Sequence, residues 1–176
     1  MIDRPRMGRI LVTEEDIAGA IEELAGAITR DYLHKRLLLV GVLKGSFIFL
    51  ADLMRALPME FEVDFLAVSS YGGGTTSSGT VRILKDLDTN IQDRHVLLVE
   101  DIVDSGLTLS YLMRMLKARR PASLRLCSLL DKPASRKKEV SIDYLGFTVP
   151  SEFLVGYGLD LQEKYRGLPY IATWQG

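Results

Sequence analysis

HVLLVEDIVDSGLTLSYL, residues 95–112, decides how this chain folds. Val96–Val99 is an apolar run of the kind that forms a strand covered on both faces. Glu100 and Asp101 close it at the strand's end, and a third acid, Asp104, follows three residues on. Ser105, Gly106 and Thr108 are small or hydroxylated. The spacing then predicts a helix over 107–118, with Leu109, Leu112 and Leu116 on one face. A strand–loop–helix junction of this kind exposes backbone N–H groups at a helix start. Those donors and the positive end of the helix dipole favour an anion such as phosphate. Carboxylates directly beside a phosphate cradle repel it, unless a divalent cation or a sugar hydroxyl lies between them.

On the N-terminal side of this junction, Thr13 with Asp16 three residues later reads as a capping box. Ile17, Ile21, Leu24 and Ile28 then mark one helical face. Leu37–Val42 reads as a buried strand, followed by a turn at Gly41, Lys44 and Gly45. Phe47, Leu50, Met54 and Leu57 continue as a second helix that Pro58 ends. Phe61–Val68 alternates as a strand, and Val81–Leu87 reads as a strand returning from 69–80. That segment, SSYGGGTTSSGT, has almost nothing to build a core from and is expected to be a mobile loop. On the C-terminal side, Ser123–Leu130 is another strand. Beyond Lys132 the pattern is less regular, with apolar pieces at 142–147 and 153–155. Strands alternating with helices predict an α/β fold with a mainly parallel sheet flanked by helices. Ligands bind such sheets beyond the carboxyl ends of the strands. The Lys44–Gly45 turn, the Glu100–Thr108 loop and the Asp131–Lys132 pair should therefore converge.

A length of 176 residues fits one domain, 1–176, and 47% hydrophobic with 26% charged residues fits a soluble globular protein. No run approaches the roughly 20 apolar residues needed to cross a bilayer, and no secretory leader is visible, so a cytoplasmic protein with no membrane partner is expected. The single cysteine, Cys127, excludes an internal disulfide and a cysteine-zinc cluster, and it reads as a buried strand residue. His34 and His95 read as surface residues. Twenty-two basic residues against 23 acidic ones, with no long basic run, argue against nucleic acid as the main partner.

Val96–Thr108 resembles the phosphoribosyl-pyrophosphate signature of type I phosphoribosyltransferases: apolar residues, two acids, two apolar residues, then Asp-Ser/Thr-Gly-x-Thr. LLVGVLKGSFIFLADL, SSYG, SLLDKP, DYLGFTVP and FLVGYGLDLQEKYRGLPYI look like the hypoxanthine and hypoxanthine–guanine members, the bacterial ones in particular. The resemblance runs from about Arg9 to Ile171. It implies the type I fold, with a small hood built largely from about 132–176. It also implies a purine-salvage activity that needs Mg2+: ribose 5-phosphate passes from phosphoribosyl pyrophosphate to a 6-oxopurine, giving a purine nucleoside monophosphate and pyrophosphate. Relatives form homodimers and homotetramers.

The same resemblance implies roles. Asp104 matches the proton-transfer aspartate near N7 of the purine; its rival reading is a helix N-cap. Glu100 and Asp101 match the acids that hold the ribose hydroxyls, directly or through magnesium. Asp104, Ser105, Gly106, Leu107 and Thr108 match the 5′-phosphate loop. Leu43, Lys44 and Gly45 match a pyrophosphate loop with a cis peptide between the lysine and the glycine, and Arg166 matches an arginine that binds pyrophosphate. Ser70 and Tyr71 match the start of a lid. Lys132 matches the lysine that reads the purine O6, Phe153 the stacking aromatic, Leu154 a backbone contact to the base, and Ile102 the opposite face of the purine. Asp160 matches a magnesium-linked acid near the pyrophosphate and the 2-position of the purine, so it also belongs to the purine-binding set. Two other readings stand beside this one: the same fold with another base, such as xanthine or a pyrimidine, and a nucleotide-sensing regulator that binds RNA or DNA.

Overall fold

A computed structural model describes residues 7–70 and 81–175; of Ser70 it describes the backbone. In chain order the elements are β1 (Met7–Val12), α1 (Glu14–Tyr32), β2 (Leu37–Leu43), α2 (Phe47–Ala56), β3 (Glu62–Ser70), β4 (Val81–Lys85), β5 (His95–Val103), α3 (Leu107–Lys117), β6 (Ser123–Asp131), β7 (Tyr144–Thr148), β8 (Leu154–Val155) and β9 (Ile171–Trp174). A 3-10 turn, Pro133–Ser135, lies between β6 and β7.

The start of α1 is fixed by the capping box the sequence predicts. The Asp16 amide donates to Thr13 Oγ1 at 3.1 Å, and the Thr13 amide donates to Asp16 Oδ2 at 3.0 Å. Glu14, Glu15 and Asp16 add negative charge at the positive end of the helix. Ile17, Ile21, Leu24 and Ile28 are buried, with Ala25 and Tyr32.

The main sheet runs β4-β3-β2-β5-β6-β7. Every pair in it is parallel except β3–β4, where β4 returns antiparallel along the edge. Strand alternation divides the core between the two faces. Leu37, Leu39, Leu97 and Val99 pack with Ile21, Ile28, Phe49 and Leu53 on the α1/α2 side. Leu38, Val40, Val96 and Leu98 pack with Leu109, Leu112 and Leu116 on the α3 side. Both faces are covered, which is why β2 and β5 read as continuous apolar runs rather than alternating ones.

Two findings differ from the sequence reading. First, β5 does not end at the acids. It continues through Glu100 and Asp101 to Val103, because Ile102 and Val103 stay paired with Leu130 and Asp131 of β6. Second, β1 and β9 are not predicted. They pair antiparallel and, with β8, form a second sheet of order β1-β9-β8. His95 also departs from expectation. It is half-buried, with Nδ1 2.8 Å from Ser123 Oγ and its ring against the edge of Tyr32. Burial, with smaller contributions from Lys35 and Arg125, holds its pKa below the usual histidine value. His34 is exposed and Cys127 is fully buried, as expected. Among the described residues, no helix is long and apolar enough to cross a membrane.

Candidate active site

The carboxyl ends of β2, β3, β5 and β6 open onto a cavity of about 680 Å³. The three segments expected to converge do so. Leu43, Lys44 and Gly45 line it from the end of β2, Asp101, Ile102 and Asp104 from β5 and its loop, and Lys132 from just beyond β6. Phe153 and Leu154 at the start of β8, and Asp160 and Arg166 beyond it, complete the predicted set that lines it. Parallel topology explains the gathering: each parallel strand delivers its end to the same edge of the sheet.

Asp101 is 9% exposed, and its carboxylate presses against the β2 turn. A Cβ on Gly45 would fall 1.8 Å from Asp101 Oδ2. Burial pushes the Asp101 pKa up to about 6; the Ile102 amide, donating to Oδ1 at 2.9 Å, and the Arg166 charge pull the other way. Glu100 does not line the cavity. Its Oε2 is buried without a hydrogen-bond partner, and burial beside the Asp101 charge pushes its pKa well above the carboxylate range. Among the described residues, no three histidine, cysteine or acidic side chains are grouped as a metal cluster.

Asp104 lies half-exposed, with Oδ2 3.7 Å from Lys132 Nζ. Lys132 is buried, and its amide donates to Val103 O at 2.9 Å, which ties the β6 end to the β5 end. Arg136 Nη1 donates to Asp104 O at 3.1 Å while its other nitrogen pairs with Asp131. Asp104 is not the N-cap of the helix; that position belongs to Gly106, at φ +77°. A side chain there would meet Lys138 O at 2.1 Å, so only glycine fits. Gly106 offers no side chain to cap α3 and the first turn holds no acid, so the helix start can receive an anion. Ser105 Oγ accepts from the Leu107 amide at 3.4 Å, and Ser105 O accepts from the Lys137 and Lys138 amides at 2.9 and 3.0 Å. Ser105, Gly106, Leu107 and Thr108 lie outside the cavity lining, at the start of α3.

The cis peptide lies one bond earlier than expected, between Leu43 and Lys44. Arg166 Nη1 donates to Gly158 O at 2.7 Å, and Nη2 lies 2.9 Å from Asp160 Oδ1 and 3.1 Å from Glu163 Oε2. Phe153 is a large aromatic left 51% exposed at the cavity wall, whereas Leu154 is buried. Ser70 ends β3, and Tyr71, with the rest of 71–80, lies outside the described residues. The sequence reading misses Ala67, Val68, Ser69, Leu84, Leu159 and Glu163, all of which line the cavity. Topology alone could have added the end of β3. Nothing local marks Leu84 or Leu159.

A family model described as a phosphoribosyl transferase domain matches residues 10–162. The chain belongs to the phosphoribosyltransferase family. It is 52% identical over 165 residues to a hypoxanthine-guanine phosphoribosyltransferase of Streptococcus mutans, covering 94% of this chain and 92% of that one. A Mycobacterium avium protein of the same name is 54% identical over 170 residues, covering 93% and 84%. The crystal structure of a hypoxanthine phosphoribosyltransferase from Staphylococcus aureus superposes with a TM-score of 0.95 at 44% identity, covering 99% of this chain and 95% of that one. The fold of this phosphoribosyltransferase is therefore the type I fold. Its cavity stands at the edge of the sheet where the signature loop, residues 100–108, ends β5 and begins α3.

Proposed function

We propose that this phosphoribosyltransferase serves purine salvage, moving the 5-phosphoribosyl group of phosphoribosyl pyrophosphate to hypoxanthine or guanine. The products are IMP or GMP and pyrophosphate. One observation carries the choice of base: Lys132, Asp104 and Phe153, from three separate segments, line a single cavity. A buried ammonium favours a 6-oxo acceptor over a 6-amino donor, because an amino group would set donor against donor. Phe153 offers an exposed ring face for stacking, and Ile102 and Leu154 supply apolar contact to the base.

In this reading Asp104 accepts the ring proton released as N9 bonds to C1 of the ribose. The 5′-phosphate sits on the amides and hydroxyls of Ser105, Gly106, Leu107 and Thr108. Lys44 and Arg166, with the backbone of Leu43 and Gly45, take the pyrophosphate. Glu100 and Asp101 hold the ribose hydroxyls. Mg2+ fits this donor set. It is commonly held by one or two carboxylates plus substrate phosphates, and Glu100 Oε2 is a buried acceptor without a partner. The Glu100–Asp101 pair at the ribose, or Asp160 beside the pyrophosphate, would supply its one or two carboxylates, and when bound it neutralises charge on the diphosphate leaving group. Ser70 and Tyr71 begin a lid that excludes water from the ribose centre. The chain acts as one domain whose hood comes largely from 132–176, assembled as a homodimer or homotetramer in the cytoplasm.

The decisive experiment supplies Mg2+, phosphoribosyl pyrophosphate and, separately, hypoxanthine, guanine, xanthine, adenine and uracil. Pyrophosphate release is expected with the first two. Release with adenine or uracil alone would overturn the base assignment, and release with none would overturn the activity.

A further inference from the structure

The sequence marks no role for Glu163, yet it joins two of the cations at the cavity. Its Oε1 accepts from Lys44 Nζ at 3.1 Å and its Oε2 accepts from Arg166 Nη2 at 3.1 Å. Those cations come from two segments far apart in the chain, the turn after β2 and the stretch after β8. The turn that presents the carboxylate is tightly fixed. Glu163 N donates to Asp160 Oδ2 at 2.8 Å, and Leu161 and Lys164 bond each other's backbone at 3.1 and 3.0 Å. Gln162, Glu163 and Tyr165 all have positive φ, at 51°, 65° and 75°. Such a run of non-glycine residues is uncommon and clusters where structure serves function rather than stability. The side chains of Lys44 and Glu163 are 67% and 63% exposed. Exposed pairs of this kind are weak and easily displaced. Stability alone does not account for a turn built to make them.

We infer that Glu163 is an internal stand-in for pyrophosphate, its carboxylate bridging Lys44 and Arg166 until a diphosphate displaces it. The inference rests on the assignment of Lys44 and Arg166 to pyrophosphate made above. A diphosphate presents the same kind of anionic oxygen to both cations and carries more charge, so it outcompetes the carboxylate. Glu163 weakens the bound state in two ways: it competes for the cations and it repels the anion at short range. It also hastens departure of the product. Glu163 is thus a positioning residue that tunes affinity for the diphosphate.

Titration calorimetry with inorganic pyrophosphate, at fixed ionic strength with and without Mg2+, tests this. Glu163→Gln keeps the shape and removes the charge, and should bind pyrophosphate about three- to tenfold more tightly than the unaltered protein. The KM for phosphoribosyl pyrophosphate should fall, and kcat should fall with it as product release slows. Equal or weaker binding in Glu163→Gln would overturn the inference, because a purely structural residue gives no gain when removed. Glu163→Asp, whose shorter arm cannot span both cations, should move in the same direction and serves if the amide variant does not fold. Arg166→Ala should abolish the binding in either background. Binding that survives Arg166→Ala would instead overturn the pyrophosphate assignment itself, and the inference with it.

Discussion

Gly158→Ala should be among the most damaging small substitutions in this protein. Gly158 has φ +98°, outside the range that a side chain adopts without strain. An added Cβ would lie 2.0 Å from Gly45 O and 3.1 Å from Gly45 C, backbone atoms that no rotamer change can move. The position cannot drift away, because the Gly158 amide donates to Arg166 O at 2.9 Å and Gly158 O accepts from Arg166 Nη1 at 2.7 Å. Backbone strain of this kind costs about 1–3 kcal/mol, and forced overpacking costs about another 1–3 kcal/mol. The expected loss of about 2–6 kcal/mol is large against a typical total of about 5–15 kcal/mol. A loss of about 3 kcal/mol would lower Tm by roughly 6–12 °C in a chain of this size. Urea unfolding and calorimetry measure both. Gly19→Ala is the control. Gly19 is exposed inside α1 with nothing within 4 Å of an added Cβ, and alanine there should stabilise by about 1 kcal/mol. A Gly158→Ala protein within 1 kcal/mol of the original would refute the claim that these two segments meet backbone to backbone. Since the obstructed carbonyl follows Lys44, pyrophosphate affinity should fall with stability.

Asp104→Asn should fold normally and lower turnover by about 10²–10⁴-fold with little change in nucleotide affinity; unchanged kcat in steady-state assays would remove Asp104 from the chemistry. Asp101→Asn should stabilise the Mg2+-free protein at pH 7 by up to about 3 kcal/mol and have little effect near pH 4. Burial raises the folded-state pKa of Asp101 from 3.8 to about 6, so the folded form keeps its proton longer. Stability attributable to this group therefore falls as pH rises from about 4 to about 6, and the asparagine variant escapes that fall. Urea unfolding at both pH values checks this, and equal differences at the two would refute it.

The centre of the main sheet was legible from residue order because β2 and much of β5 are covered on both faces, and such burial leaves continuous apolar runs such as Leu37–Val42. The first helix was legible from Thr13 and Asp16, since a capping box acts within four residues. What escaped was set by partners distant in the chain. The end of β5 was placed too early because two acids in succession read as a strand terminus, whereas β6 continues to pair with Ile102 and Val103. β1 and β9 are short, and β1 is only partly buried, so only their mutual pairing makes them strands. In the candidate site, the signature marked the residues proposed to hold the ribose phosphate. Glu163 was invisible because its meaning lies in a contact 119 residues away in the chain. The return of 81–87 as a strand was legible, but that its antiparallel pairing with β3 carries Leu84 to the cavity was not.

The pairing of β1 with β9 sets an order of assembly. Met7 faces Trp174 and Val12 faces Ile171, so this ladder joins nearly the whole length of the described chain. The six strands of the main sheet lie between residues 37 and 148 and can pair before Ile171 exists on a growing chain. Contacts this distant along the chain carry the largest loop-closure cost and form late. The amide of Trp174, at the end of β9, donates to Phe153 O at 2.8 Å. The aromatic wall of the cavity therefore gains this clamp only once β9 is in place, and the ladder of β1 depends on the same strand.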